Sequence, residues 1–587
     1  MITRKQIITA FPYVLLLLWM GELLKSDAYR MPYLLIFGAA LLCMWNNRKE
    51  AAYEKPLLQK REKRLLWIFS ILFSACVTFA NYKLYTLQPD DNKWKLLYYA
   101  FVFLVLFGGS LTAFGSILLR LTVHSDRLSW QPEEKSGRPA IVFLAVFLPI
   151  VLINTTILIL CKYPGTVTND SIWQITQILT DDYSNHHPFY HTLLIRCFLN
   201  LGLRLSDDNI NFAVALYNCF QIVFMAGCFA FTAMTMRQAG IPKAPVILSA
   251  LFYIVMPYHI MYSFSIWKDV LFGGFVLLFL LSFFRLLRGI GSRPAGLLLF
   301  AAAGLGICLF RSNGFFVYLL TALLFALLWK KEQKAMLAVM VLVLCGAYVL
   351  KHPVLEKLQV SQPDTVEALS IPLQQVAGAI SEGCELTEED RELISHLARP
   401  ASLGSVYESG LSDPVKNLIR RDGDLTYFSA HKLEYLKLYI RLGLRNPGAY
   451  LRAWVEMTKG YWNSGYDYWQ WDERVFNNDI GIHRVTRSTI LNQLLDEYLH
   501  LFTETPFCLL FVSIGLCVWL HLAMLYVGLL RKERIGAFLP VPQLLIVLSL
   551  LIATPVYSEF RYVYSLWCCV PAVLILPLCP QTKSVSK

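Results

Sequence analysis

Apolar residues arrive in long runs separated by short polar stretches, the pattern of helices that cross a bilayer, each needing about 20 mainly apolar residues. About fourteen runs qualify on that measure. Four precede residue 120, at 7–24, 31–46, 65–86 and 95–119, and seven occupy 139–161, 210–236, 244–262, 269–287, 295–310, 314–330 and 334–351. Three close the chain at 505–530, 537–556 and 560–579. The pattern predicts an all-α polytopic membrane protein.

Two stretches interrupt this rhythm. Loop 162–209 is polar as far as His187 and then apolar with two arginines and a histidine, which predicts two helices lying along the membrane surface. Residues 352–504 are long enough for a small core of their own. They are rich in helix formers, carry a capping-box pair in Thr387 and Asp390, and break their helical spacing at Asn446-Pro-Gly. A mainly helical extracytoplasmic domain is expected there. The chain then divides into a four-span extension with a basic loop (1–138), a membrane core with the outer loop 162–209 (139–351), the soluble domain (352–504) and the C-terminal spans (505–587).

Composition agrees: 56% of residues are hydrophobic and 16% charged, against roughly 25% charged in soluble proteins, and the mean hydropathy is +0.49. The net charge of +12 comes from clusters between apolar runs, so it reads as a topology signal and anionic-lipid contact, with no nucleic-acid partner. The basic stretch from Asn46 to Arg64 predicts a cytoplasmic loop, joined on that side by 285–293, 329–334, 531–534 and both termini. Loops 162–209, 263–268, 311–313, 352–504 and 557–560 fall outside. Met1 to Gln6 carries positive charge before an apolar stretch but no small-residue cleavage site follows, so a retained span is expected. The fourteen cysteines sit mostly in apolar runs, without the paired C-x-x-C spacing of a zinc site or a disulfide framework.

The outer loops hold the candidate chemistry. Asp170, after the turn Pro164-Gly165, suits a general base, a metal ligand or a helix cap, with Thr168 and Asn169 as rival caps. His186 and His187 suit phosphate contact, proton transfer or a metal, or serve as interfacial polar residues before a proline-started helix; His187 and His191 have i, i+4 spacing. Lys268-Asp269 is a phosphate contact with a second carboxylate, or a neutralised pair at the interface. Arg311 with Asn313, and Glu559-Phe-Arg561-Tyr562, set guanidiniums where their forks match phosphate oxygens; arginines at span ends equally anchor headgroups. Tyr461-Trp462, Tyr466, Tyr468-Trp469 and Trp471 offer sugar stacking or packing against the membrane.

An acidic residue in the first large outer loop, surface helices behind it, a Lys-Asp pair in a later outer loop and an Arg-Tyr near the last spans together resemble the GT-C superfamily of integral-membrane glycosyltransferases. The nearest branch is that of the protein mannosyltransferases and aminoarabinose transferases, or a bacterial relative of theirs. The resemblance covers roughly residues 139–580. It implies transfer of a sugar from a polyprenyl-phosphate donor to a glycan, lipid or protein acceptor on the extracytoplasmic face of the cell membrane, usually with inversion. By position, Asp170 matches the catalytic carboxylate and Asp269 the second acidic residue. Lys268, Arg311 and Arg561 match the donor-phosphate contacts, with His186, His187, Asn313, Glu559 and Tyr562 as further substrate-binding positions. Many members carry two acidic residues together where this chain has Asn169-Asp170, with Asp181-Asp182 ranked lower. The cofactor therefore stays open: a magnesium or manganese ion fits only if Asp269, Glu559 or a histidine completes its site. A transporter or flippase of lipid-linked sugars is the alternative; it calls for charged or broken helices at mid-membrane, whereas the ionisable residues here cluster at the rim.

Overall fold

A computed structural model describes residues 4–25, 30–51, 58–81, 92–131, 138–329, 333–466, 469–505 and 508–579. Helix accounts for 77% of it, and the extended pairings among the described residues are isolated bridges. Asp467 and Tyr468 of the aromatic run, and parts of the basic segments 46–64 and 329–334, lie outside the described residues.

Over its described residues each predicted run is mainly helix, but not all of these helices are long enough to span. Nine described helices have the length and apolarity to cross a bilayer: Lys60–Asn81, Lys93–Val123, Pro139–Leu160, Ile210–Gln238, Lys268–Arg288, Arg293–Phe310, Lys334–Lys357, Arg534–Ala553 and Phe560–Leu578. The run at 244–262 is two helices, Lys243–Val255 and Pro257–Ser263, bent by 54°. The cause is Pro257, whose ring disfavours helical backbone at the preceding Met256. Counted together, the bent pair makes a tenth. Ala10–Leu23, Gly314–Leu328 and Ile514–Leu530 are apolar but shorter.

The helix Lys268–Arg288 gives the bundle its two ends. Lys268 and Asp269 stand in its first turn and Arg285 and Arg288 in its last, about 30 Å away at 1.5 Å per residue. Gly289, with φ 63°, stops it in the left-handed conformation that glycine adopts without steric cost. At the Arg288 end the basic segments gather: Arg288 pairs with Glu533 at 3.2 Å, Arg534 donates to the Leu328 carbonyl at 3.2 Å, Arg531 to that of Pro577 at 2.9 Å, and Arg61 to that of Leu529.

The first four helices, Arg4–Leu23, Met31–Ala51, Lys60–Asn81 and Lys93–Val123, form an apolar cluster that Trp519, Tyr526 and Leu530 of helix Ile514–Leu530 complete. Phe73 meets Trp519 edge-on at 4.8 Å, and the Thr122 and Tyr526 hydroxyls bond at 2.5 Å. Gly109 lets Trp19 lie directly against its helix, where any β-carbon would collide. The N-terminal extension is thus docked on the C-terminal part of the chain.

Between residues 366 and 450 a separate apolar cluster forms the core of the helical domain. Thr387 caps helix Glu388–Ser395 reciprocally with Asp390, and helices Lys432–Arg445 and Pro447–Thr458 meet at Asn446-Pro-Gly. Helix Thr489–Glu504 leaves this domain and lies against the membrane helices, with Leu494, Leu495 and Tyr498 facing Ile157 and Ile260 across a cleft.

Candidate functional site

The end of the bundle marked by Lys268 is stitched from four chain segments. Pro164-Gly165 reverses the chain after helix Pro139–Leu160, and the Asn218 side chain donates to the Pro164 carbonyl at 2.7 Å. Gly165 has φ 125°, and a β-carbon there would strike Asn218 and the Phe264 carbonyl. One helical turn on from Asn218, Gln221 Nε2 donates to the carbonyls of Tyr262, Ser263 and Ser265 at 3.0, 3.2 and 2.8 Å. Thr166 then pairs with Ser265, Val167 with Val475 and Tyr163 with Val485. The buried Lys162 bonds Glu473 at 2.6 Å and Asp496 at 2.9 Å, fastening the second half of the helical domain beneath the loop.

This frame sets the direction of Asp170. Helix Asn169–Thr180 begins after Thr168, whose N–H donates to Ser171 Oγ at 3.3 Å, while Ser171 Oγ donates to the Ile266 carbonyl at 2.9 Å. Thr168 therefore takes the cap position, and Asp170, in the first turn, is released from capping. Arg561 donates to its Oδ2 at 2.7 Å and Lys268 Nζ stands 3.9 Å from the same oxygen. The three side chains keep some contact with solvent, 29% for Asp170, 19% for Lys268 and 15% for Arg561, so they line an opening. Burial alone would raise the Asp170 carboxyl, but the Arg561 guanidinium, the Lys268 ammonium and His187 outweigh it and hold the group well below the ordinary carboxylate range.

Lys268 also donates to His187 Nδ1 at 3.0 Å. An ammonium has no acceptor, so this bond fixes His187 as the neutral tautomer protonated on Nε2. Burial, with Lys268 beside it, lowers the ring to about 2. His186 stacks over Trp173 at 6.1 Å. His191 is drawn into a different network, with Gln174 at 3.0 Å and the Tyr217 hydroxyl at 2.8 Å, so the i, i+4 spacing of His187 and His191 does not become a shared site.

Arg561 faces Glu559 at 2.6 Å on its other side and lies 5.4 Å from the Trp267 ring. Trp267 Nε1 in turn donates to Thr168 Oγ1 at 2.9 Å. A second ion pair, Arg311 to Asp269 at 2.5 Å, is closed off from solvent. The Tyr562 ring joins the two pairs, with both guanidiniums 5.2 Å from its centroid. Asn313 stands apart, donating to Ser549 Oγ at 2.7 Å. Of the aromatic run, Tyr461, Trp462 and Trp471 are buried, while Trp469 is exposed and meets Trp267 edge-on at 6.3 Å.

Among the described residues no three His, Cys, Asp or Glu side chains gather as metal ligands. Each carboxylate near Asp170 already faces a guanidinium, so the donor set suits an anion and does not fit a divalent cation.

The loop that carries Glu559 and Arg561 is clamped by the helical domain. The Pro555 carbonyl accepts from Ser370 Oγ at 2.7 Å, Ser412 Oγ at 2.8 Å and Lys416 Nζ at 2.8 Å. Ser558 Oγ donates to the Met457 carbonyl at 2.9 Å, and the Tyr461 hydroxyl bonds Thr554 at 2.7 Å.

Fold and site together define a multi-pass α-helical membrane protein with a charged, partly open site at one end of its bundle. Residues 178–587 match a family of unknown function, DUF6020, and the chain belongs to that family. The match takes in Lys268, Arg311, Glu559 and Arg561, while Asp170 lies eight residues before it. No curated protein and no solved structure matches the chain.

Proposed function

We propose that this protein is a membrane glycosyltransferase that moves a sugar from a polyprenyl-phosphate donor to an acceptor on the extracytoplasmic face. The observation that carries the reading is the convergence of Lys268 and Arg561, from two distant segments, onto one carboxylate oxygen of Asp170. The side of the membrane follows from the basic loops at the opposite end, which favour the cytoplasm.

In this reading the donor phosphate sits against Lys268 and Arg561. The acceptor hydroxyl oxygen attacks the anomeric carbon from the opposite face, and its proton passes to Asp170. The bond from anomeric carbon to phosphate oxygen breaks with its electron pair staying on the phosphate, where the two cations meet the developing charge. Asp170 paired with two cations is a weak base; a phosphate that competes for those cations returns proton affinity to the carboxylate when the donor is bound. Trp469, exposed beside Trp267, offers a face for the sugar ring. Asp269 and Arg311 support the site through the Tyr562 ring.

Isolated membranes supplied with polyprenyl-phosphate sugars are expected to transfer sugar with the wild-type protein and not with Asp170→Asn. Normal transfer by that variant overturns the reading.

A further inference from the structure

Helix Lys432–Arg445 is apolar on two opposite sides. Tyr435, Leu438 and Leu442 are buried in the helical domain. Leu433, Leu436, Ile440 and Leu444 follow one another three and four residues apart, and each is half or more exposed, so they form a single outward ridge. A ridge of this kind on a domain outside the membrane marks a surface that something covers.

Three observations say what covers it. Lys432 and Lys437 flank the ridge and are exposed, Arg441 and Arg445 turn to Asp390 at 2.5 and 3.3 Å, and Glu434 is the one acidic residue of the helix. Leu436 also belongs to the wall of a cavity of about 410 Å³, whose lining is apolar apart from Thr365, Lys432 and two tyrosines. The residue is thus at once on the ridge and at the mouth of the cavity. Finally, the hairpin that carries the ridge is planted on a membrane helix: Trp454 Nε1 donates to the Leu551 carbonyl at 2.9 Å, and the exposed Leu451 lies one turn before it.

We propose that helix Lys432–Arg445 rests on a surface of anionic phospholipid and that the cavity beside it takes one acyl chain from that surface. An apolar ridge with ammonium groups at its edges is the form of a helix lying in the headgroup plane. A second copy of the chain is the poorer occupant, because it would bring Lys432 and Lys437 against their own counterparts. The cavity is within the size of small-molecule sites and offers hydrocarbon little but hydrocarbon. The proposal stands apart from the transfer reaction, and its readouts need no activity.

The test uses the full chain in nanodiscs containing phosphatidylglycerol with a photoreactive acyl chain, with crosslinked residues mapped by mass spectrometry. Crosslinks at Leu436, Tyr439 or Val376 are expected, and falling about tenfold in Leu433→Gln/Ile440→Gln/Leu444→Gln, whose changes are all on exposed positions. Unchanged unfolding of that variant shows that the loss is not misfolding; Val376→Trp, which fills the cavity, should remove the cavity crosslinks while leaving those on the ridge. Crosslinks confined to the membrane-spanning helices, equal labelling from phosphatidylcholine, or a dimer in nanodiscs that the triple variant dissolves would each overturn the proposal.

Discussion

Arg561 and Asp170 are 391 positions apart in the chain and 2.7 Å apart in space. That one bond joins the loop after the first core helix to the loop before the last, and Lys268 closes the triangle from a third. A partly buried guanidinium shared between Asp170 and Glu559 ties the charge balance of the site to its geometry.

The carboxylate is the first target. Asp170→Asn keeps the shape and one acceptor oxygen but cannot accept the acceptor's proton, and a positioned base contributes about 10²- to 10⁴-fold. Transfer in isolated membranes should fall by that order while the amount of protein in the membrane stays the same. Loss of the protein itself would make Asp170 a structural residue.

Arg561 should behave differently. Arg561→Met leaves the buried Glu559 without its counter-ion and Asp170 with Lys268 alone, and stranding the buried carboxylate costs up to about 3–5 kcal/mol. Thermal unfolding in detergent is expected to show it. Lys268→Gln, at a cation 3.9 Å from Asp170 and without a pair to the buried Glu559, should raise the KM for the donor with a smaller change in stability, so the two cations separate by measurement.

Asp269, matched by position to a second catalytic acid, is buried and held by Arg311. Asp269→Asn should therefore lower stability, by about 3–5 kcal/mol if the pair is broken outright, more than it lowers transfer per folded molecule. A variant that folds as well as wild type yet is inactive would return Asp269 to the chemistry.

Acid should weaken the protein through His187. Burial and Lys268 hold the folded ring at about 2, whereas an unfolded chain takes up a proton near pH 6.5. Between those values the unfolded state binds more protons, so stability is present above about pH 6.5 and is lost as pH falls, by up to about 1.4 kcal/mol per unit. Asp170 is depressed in the fold, so its contribution is present above its unfolded value near 3.9 and is lost only at lower pH. Unfolding midpoints at pH 7, 6 and 5 should fall less steeply in His187→Gln. The slope should not vanish, because His191, lowered by burial to about 3, titrates in the same window. Equal slopes would refute the assignment.

Much of the bundle was legible because a bilayer demands length and apolarity together. The run at 210–236 is helix Ile210–Gln238, and that at 269–287 is Lys268–Arg288. The bend at Met256-Pro257 was legible too, but a hydropathy reading passes over a single proline. Asp170, Lys268 and Arg561 could be nominated from residue type and loop position; their meeting depends on bridges such as Val167 with Val475, which leave no period in the sequence. Asn218 and Gln221 did leave a signal, as two uncharged polar residues one turn apart inside an apolar run. Thr168 and Asp170 were both plausible caps until the Ile266 carbonyl, accepting from Ser171, fixed which one the helix uses. Asn313 has the residue type of a site position, but its neighbour across the bundle, Ser549, is what decides its role.

Three donors from the helical domain end on a single oxygen, the Pro555 carbonyl, six residues before Arg561. The domain cannot tilt as a rigid body without either breaking those bonds or dragging residues 555–561 with it. The same domain also holds the loop before Asp170, through Val167 with Val475 and Lys162 with Glu473, so both partners of the Arg561–Asp170 pair are anchored to one body.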